Sequence, residues 1–272
     1  MSFDRPLPNA LSPSRLQDFR ACPRRFQYAS IERVPQPATY AATKGRLAHA
    51  VFERLYRLEP GERTADAARG LLQAAEDDVL SESVRKDLDL DGNLETLARL
   101  RHETSDILDV YFTMEDPRAV NHEGVELRVH ADLDGVPMLG ILDRLDRESD
   151  GTLAIIDYKT GALPNRRFDS QTFANTELYA ALCETGLGER PSTIRLLYVA
   201  GGQTIERTVT EVVIRARANA AGDAWRTIQR YYDDGEFPAT PSMNTCRFCA
   251  YTERCRRSGV AVPTRPVSPG TP

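Results

Sequence analysis

Two aspartates and a lysine mark the stretch of this chain best equipped for chemistry. Asp143 lies in GILDRLD, and Asp157 and Lys159 lie in IIDYKTG, all within the segment from Gly140 to Gly161. Strand-like runs around Leu139 to Leu145 and Leu153 to Tyr158 are separated by Ser149, Asp150 and Gly151, a cluster that favours a tight reversal and predicts a β-hairpin. Side chains alternate faces along a strand, so Asp157 and Lys159 should point one way and Ile156 and Tyr158 the other. Two carboxylates and one ammonium at the end of a half-buried sheet leave excess negative charge, which is costly to bury unless a cation compensates. Oxygen ligands suit Mg²⁺ or Mn²⁺, ions that activate water and stabilise charge on a phosphate under attack. On a solvated hairpin the same residues would form an ordinary surface ion pair.

The elements that must position this hairpin are legible on both sides of it. Ser12 and Pro13 suit the start of a helix in which Leu16, Phe19, Cys22 and Phe26 recur at helical spacing, with Arg24 and Arg25 soon after Cys22 as candidate phosphate contacts or solvated charges. A second helix is predicted from about Thr43 to Leu58, with Leu47, Val51 and Leu55 inward. Gly45 lies one turn before His49, where a missing side chain should open space beside the imidazole. Helices are also predicted over Ala65 to Leu80 and Leu94 to Phe112, separated by the acidic connector Asp87 to Asp91. From Glu123 the period changes: Val125, Leu127, Val129 and Ala131 alternate with Glu126, Arg128 and His130, a strand that leads through Asp134 and Gly135 into the hairpin.

Beyond it, the loop ALPNRRFDS brings Arg166 and Arg167 near the acidic pair, and a helix follows over about Ser170 to Glu184, carrying Tyr179 and a small buried Cys183. Ile194 to Ala200 and Thr204 to Val209 read as a further hairpin around Gly201 and Gly202, and Val212 to Tyr232 as a long helix. The sum is an α/β (α+β) fold, a mixed central sheet flanked by helices.

Composition bounds the function. The chain has 272 residues and a formal charge of −5, so a nucleic-acid surface must be a local basic patch. It holds no apolar run long enough to span a bilayer, and MSFDRPLPNA lacks the apolar core of a signal peptide, so a cytoplasmic protein is expected. Of five cysteines, Cys246, Cys249 and Cys255 crowd near the C-terminus, with Cys22 as the available distant fourth ligand. Four thiolates suit either zinc or an iron–sulfur cluster, and spacing alone does not choose between them. Arg247, Arg254, Arg256 and Arg257 surround these cysteines as a candidate phosphate-binding rim, and the remaining Pro-, Gly- and Ser-rich segment is expected to be a mobile tail.

The acidic pair and lysine, with LSPSRLQDFRACPRRF, GRLAHAVFERL and CRFCAYTERC, resemble the PD-(D/E)XK nuclease superfamily in its RecB-family form, over nearly the whole chain. The pattern is similar to actinobacterial RecB-family exonucleases, the AddB nuclease domain and CRISPR-associated spacer-processing nucleases. The resemblance implies a restriction-endonuclease-like core and a metal held by His49 (the GxxxH histidine in GRLAH), Asp143, Asp157 and the backbone carbonyl of Tyr158. It assigns Lys159 to orienting or deprotonating the attacking water and stabilising charge at phosphorus, and Tyr179 to positioning substrate. Asn175 stands where a glutamine is usual four residues before that tyrosine, with Gln171 one turn back, and Glu126 is a supporting residue. Cys22, Cys246, Cys249 and Cys255 would bind a 4Fe-4S cluster, with Zn the alternative.

The expected organisation is a flexible N-terminus over 1–10 and a single nuclease domain over 11–258, with a disordered tail over 259–272. Within the domain, 11–118 form a helical cover, 119–235 the core and 236–258 the cysteine clasp. The implied function is a Mg- or Mn-dependent DNA nuclease, an exonuclease acting on single strands or free ends in repair or recombination alongside a helicase or recombination partner. A noncatalytic DNA-binding scaffold with the same fold is the alternative.

Overall fold

The computed structural model describes residues 3–163 and 172–263. Arg166, Arg167, Gln171 and the Ser170 helix start lie outside the described residues, as does most of the expected tail.

The alternating and apolar runs assemble one sheet in the order β1 (His122–Leu133), β2 (Val136–Arg147), β3 (Leu153–Lys159), β4 (Thr193–Tyr198), β5 (Gln203–Thr208). Neighbours are antiparallel except β3 and β4, which run parallel. The two-residue loop Asp134-Gly135 joins β1 to β2 with φ of 54° and 83°, left-handed values that match the twist of a tight hairpin and that Asp and Gly tolerate.

Helices cover both faces. In chain order they are α1 (Pro13–Ala21), α2 (Pro23–Phe26), α3 (Tyr40–Tyr56), α4 (Ala65–Gly70), α5 (Leu72–Val79), α6 (Glu82–Asp87), α7 (Leu94–Met114), α8 (Ala174–Gly186), α9 (Glu211–Asp233), α10 (Met243–Cys246) and α11 (Thr252–Arg257). One face buries Leu145, Ile155, Leu196 and Tyr198 against α1, α8 and α9; the other buries Ala154, Ile156, Tyr158 and Leu197 against α3, α5 and α7. Alternation along β3 therefore distributes the strand between two cores, as its apolar start Leu153–Ile156 requires. Among the described residues no helix is long and apolar enough to cross a membrane.

Three departures from the sequence reading have local causes. The first helix stops at Ala21 and Cys22 is extended, because Pro23 lacks an N–H and disfavours helical backbone at the residue before it. Cys22 thus sits at the joint between α1 and α2 and not within a continuous helical stripe. The helix expected over Ala65 to Leu80 divides at Leu71 into α4 and α5. In β1, Val125 packs with the α3–α7 core while Leu127 packs with the opposite one, so strict alternation slips at Glu126, whose φ is 46°.

Candidate active site

The site forms where α3 crosses the adjoining strands β1, β2 and β3. The β1–β2 register pairs Val125 with Arg144 and Leu127 with Leu142, so Glu126 falls opposite Asp143; continuing the β2–β3 register from Arg144 and Ile156 sets Asp143 opposite Asp157. Three carboxylates therefore lie in a row across three strands. The left-handed backbone at Glu126, where a side chain normally incurs steric cost, re-aims the first of them. His49 comes from α3, whose Thr39 side chain caps the helix by accepting from Ala42 N.

His49, Glu126 and Asp143 each offer one ligand atom, all within 4.8 Å of one another. His49 Nδ1 is 3.5 Å from Asp143 Oδ1, and its Nε2 is 3.1 Å from the Tyr158 carbonyl oxygen. The Tyr158 amide donates to Asp143 Oδ2 at 2.8 Å, which pins that carboxylate to the neighbouring strand. Asp157 lies outside the three-residue grouping. Its Oδ2 lies 2.5 Å from Lys159 Nζ in an ion pair, and this buried oxygen has no further hydrogen-bond partner among the described residues.

Charge at this cluster is strongly coupled. Burial disfavours the His49 imidazolium, but Asp143, Asp157 and Glu126 together outweigh it and raise the group to about 9. Burial, and then repulsion from Asp143, push Asp157 above the usual carboxylate range. Glu126 is raised by the same two causes. For Lys159, burial is overcome by Asp157, which holds the amine as an ammonium ion. Clustered carboxylates with raised affinity for protons, one of them with a poorly satisfied buried oxygen, are a donor set suited to a hard divalent cation. The residues fit such an ion: one imidazole nitrogen and carboxylate oxygens are within reach of a common point.

The Gly45 expectation is corrected. A Cβ there would come within 2.8 Å of Thr160 Oγ1, so this glycine lets α3 approach the end of β3; the contact is with Thr160 and not with the imidazole. Gly140 has the corresponding role under α8. A Cβ on it would lie 2.6 Å from Leu182 Cδ1 and 2.9 Å from Tyr179 Cδ1, so the glycine of GILD lets the helix carrying Tyr179 settle beside the acidic row. Burial first, then the charges of Asp157, Asp143 and Glu126, raise the Tyr179 phenol, which remains a neutral hydroxyl. Asn175 turns away from this cluster; its Nδ2 donates to Gln17 Oε1 of α1 at 3.0 Å.

A profile of the PD-(D/E)XK nuclease superfamily matches residues 10–256. The chain belongs to the PD-(D/E)XK nuclease superfamily. It is also 32% identical over 136 residues to an ATP-dependent helicase/deoxyribonuclease subunit of Streptococcus agalactiae, in strains of serotypes Ia, V and III. That match covers 48% of this chain and 12% of each relative, so the chain spans a small fraction of those proteins. The crystal structure of SSO0001 aligns with 79% of this chain and 84% of its own, at 14% identity and a TM-score of 0.37, too distant to bear on function.

Behind the acidic row the nuclease domain buries a cation that the sequence reading passed over. Arg144 is fully buried on the face opposite Asp143. It bonds both oxygens of Glu115 at 2.6 and 3.1 Å, both oxygens of Asp146 at 2.8 Å, and the hydroxyls of Tyr56 and Tyr158. The network ties α3, α7, β2 and β3 together directly behind the site. Its only trace in the sequence is one of the two arginines in LDRLDR, a charged run within a strand whose earlier residues are mostly apolar.

At the other end of the domain, Cys22, Cys246, Cys249 and Cys255 line a single cavity. Thr240 N donates to Cys22 Sγ at 3.4 Å, joining the α1–α2 corner to the C-terminal segment. Arg24 and Arg25 serve the same joint: Arg24 donates to the Phe237 carbonyl at 2.6 Å, and Arg25 pairs with Asp18 at 2.8 Å. Cys183 is buried elsewhere, its thiol pushed up to about 12 by burial.

Proposed function

We propose that this nuclease-superfamily chain is a metal-dependent deoxyribonuclease that hydrolyses phosphodiester bonds in single strands or at DNA ends. The observation that carries the reading is the convergence of His49, Glu126 and Asp143 within 4.8 Å, beside the buried Asp157–Lys159 pair. His49, Asp143, Asp157 and the Tyr158 carbonyl, with Glu126 joining them, would hold a divalent ion, which would supply Lewis acidity toward the phosphate and lower the pKa of bound water. Asp143 is fixed in place by the Tyr158 amide. Lys159, kept protonated by Asp157, orients water and offsets charge on the phosphate; it is not a base while that carboxylate is ionised. Tyr179 offers a neutral hydroxyl to the substrate. DNA as substrate and a helicase partner are supported by the name of the Streptococcus agalactiae relatives. Action as an exonuclease in repair or recombination is the corresponding biological role.

We assign the four clasp cysteines to a 4Fe-4S cluster that ties the N-terminal helices to the chain's end. The four line one cavity, and thiolates there would suit a 4Fe-4S cluster, with zinc as the alternative. A brown, iron-containing anaerobic preparation supports this assignment; a colourless one with stoichiometric zinc reverses it.

One observation favours the noncatalytic scaffold: Asn175 is committed to Gln17 and not to the site. Labelled single-stranded DNA incubated with Mg²⁺ or Mn²⁺ separates the two. Metal-dependent cutting by the wild type that falls roughly 10²- to 10³-fold in Lys159→Ala, with fold and cluster retained, is expected. Binding without cuts selects the scaffold.

A further inference from the structure

The loop between Cys246 and Cys249 presents the most exposed phenylalanine ring among the described residues. Phe248 is 76% exposed, and the guanidinium of Arg247 stacks on one of its faces at 4.3 Å from the ring centroid. Arg247 makes no ion pair among the described residues and lines an open cleft of about 670 Å³ with Asn244, Thr252 and Arg256, the last of which pairs with Glu253 at 3.5 Å across an exposed contact. Over residues 246–258 there are four arginines and one glutamate, in a chain whose net charge is negative; Arg256 and Arg257 share Glu253 and Arg254 pairs with Glu32, which leaves the segment a net positive charge. A lone exposed phenylalanine is ordinary on a protein surface. One backed on a single face by an arginine that also lines a cationic cleft has the two parts of a single-strand site, a flat apolar face for a base and charge for the backbone.

We propose that Phe248 is a base-stacking platform for single-stranded nucleic acid, with Arg247 and Arg256 engaging the adjoining phosphates. The inference rests on the reading of the chain as a DNA nuclease and adds to it a strand-binding surface on the cysteine clasp, outside the acidic site. The open face of the ring takes one base without regard to sequence, since every base has a π-face. A protein partner would call for a broader apolar patch. Met243, 38% exposed, is the other large apolar side chain exposed in this segment, and the charge around it suits phosphate better than a protein core.

The test is fluorescence anisotropy of a labelled oligo(dT) 20-mer with the complete, cluster-loaded protein in EDTA, which removes cleavage from the measurement. Phe248→Ala and Phe248→Leu should each raise Kd about tenfold, within a range of roughly 5- to 100-fold. Phe248→Trp should bind as well as wild type or better. The slope of log Kd against log salt should be unchanged in Phe248→Ala, which loses no charge, and reduced in Arg247→Ala. Unchanged affinity in Phe248→Ala, weakening in Phe248→Trp equal to that in Phe248→Ala, or no binding by wild type each overturns the platform; the first would leave the ring to a protein partner. Manganese-dependent cutting by wild type at saturating DNA is scored separately, so a failed nuclease reading is distinguishable from a failed platform.

Discussion

Replacing Gly140 by alanine should separate packing from chemistry at this site. The added Cβ would stand 2.6 Å from Leu182 Cδ1 and 2.9 and 3.1 Å from Tyr179 ring carbons, against the about 3.5–4.0 Å at which carbon atoms rest. Leu182 is fully buried, so its methyl has no free space to enter, and α8 must retreat by about 1 Å. Overpacking of this kind costs about 1–3 kcal/mol, partly offset by up to about 1 kcal/mol because alanine has less backbone freedom to lose than glycine. A net loss of about 1–2 kcal/mol is expected, read by urea denaturation as a lower midpoint with an unchanged m-value. Because Tyr179 moves with the helix, DNA cleavage should fall further than stability explains, by roughly 10- to 100-fold at a temperature where the variant is folded. Gly61→Ala, whose Cβ meets nothing within 4 Å, is the control. Wild-type stability and wild-type turnover in Gly140→Ala would refute the reasoning that this glycine seats Tyr179.

Two other perturbations address charge. Arg144→Met leaves the buried Asp146 and the half-buried Glu115 without their cation and should cost about 3–5 kcal/mol in chemical denaturation; a loss under about 1 kcal/mol would mean that the network is dispensable. In EDTA-treated protein, the His49 imidazolium contributes stability that is complete below its ordinary 6.5 and is lost as pH rises through about 9. At ~1.4 kcal/mol per pH unit this amounts to about 3 kcal/mol between about pH 6 and 10, which His49→Gln should remove from the pH profile. An identical profile in the two proteins would contradict the assigned interaction.

Much of this arrangement could be read from residue order. Period-two alternation along IIDYK correctly set Asp157 and Lys159 on one face with Tyr158 on the other, because a pleated strand leaves little freedom. What resisted reading depended on contacts distant in sequence or on backbone that breaks the rule. Glu126 joins His49 and Asp143 through a left-handed residue, and alternation carries no sign of such a slip. Arg144 looked like one charge among several in LDRLDR, and only the arrival of Glu115 from α7 makes it a buried hub. The role of Gly45 was mistaken because helical spacing identifies neighbours on its own helix, whereas the space it leaves is filled by Thr160, just beyond β3. Cys22 does line one cavity with the distant cysteines, although Pro23 places it at a corner and not inside a helix.

Manganese binding at the acidic row tests the central claim most directly. Anomalous diffraction from a crystal soaked in Mn²⁺ should give a peak bonded to His49, Asp143 and at least one of Glu126 and Asp157, absent in Asp143→Asn crystals treated identically. No peak there in wild type at saturating Mn²⁺, with the His49, Glu126 and Asp143 side chains turned apart, would contradict the account.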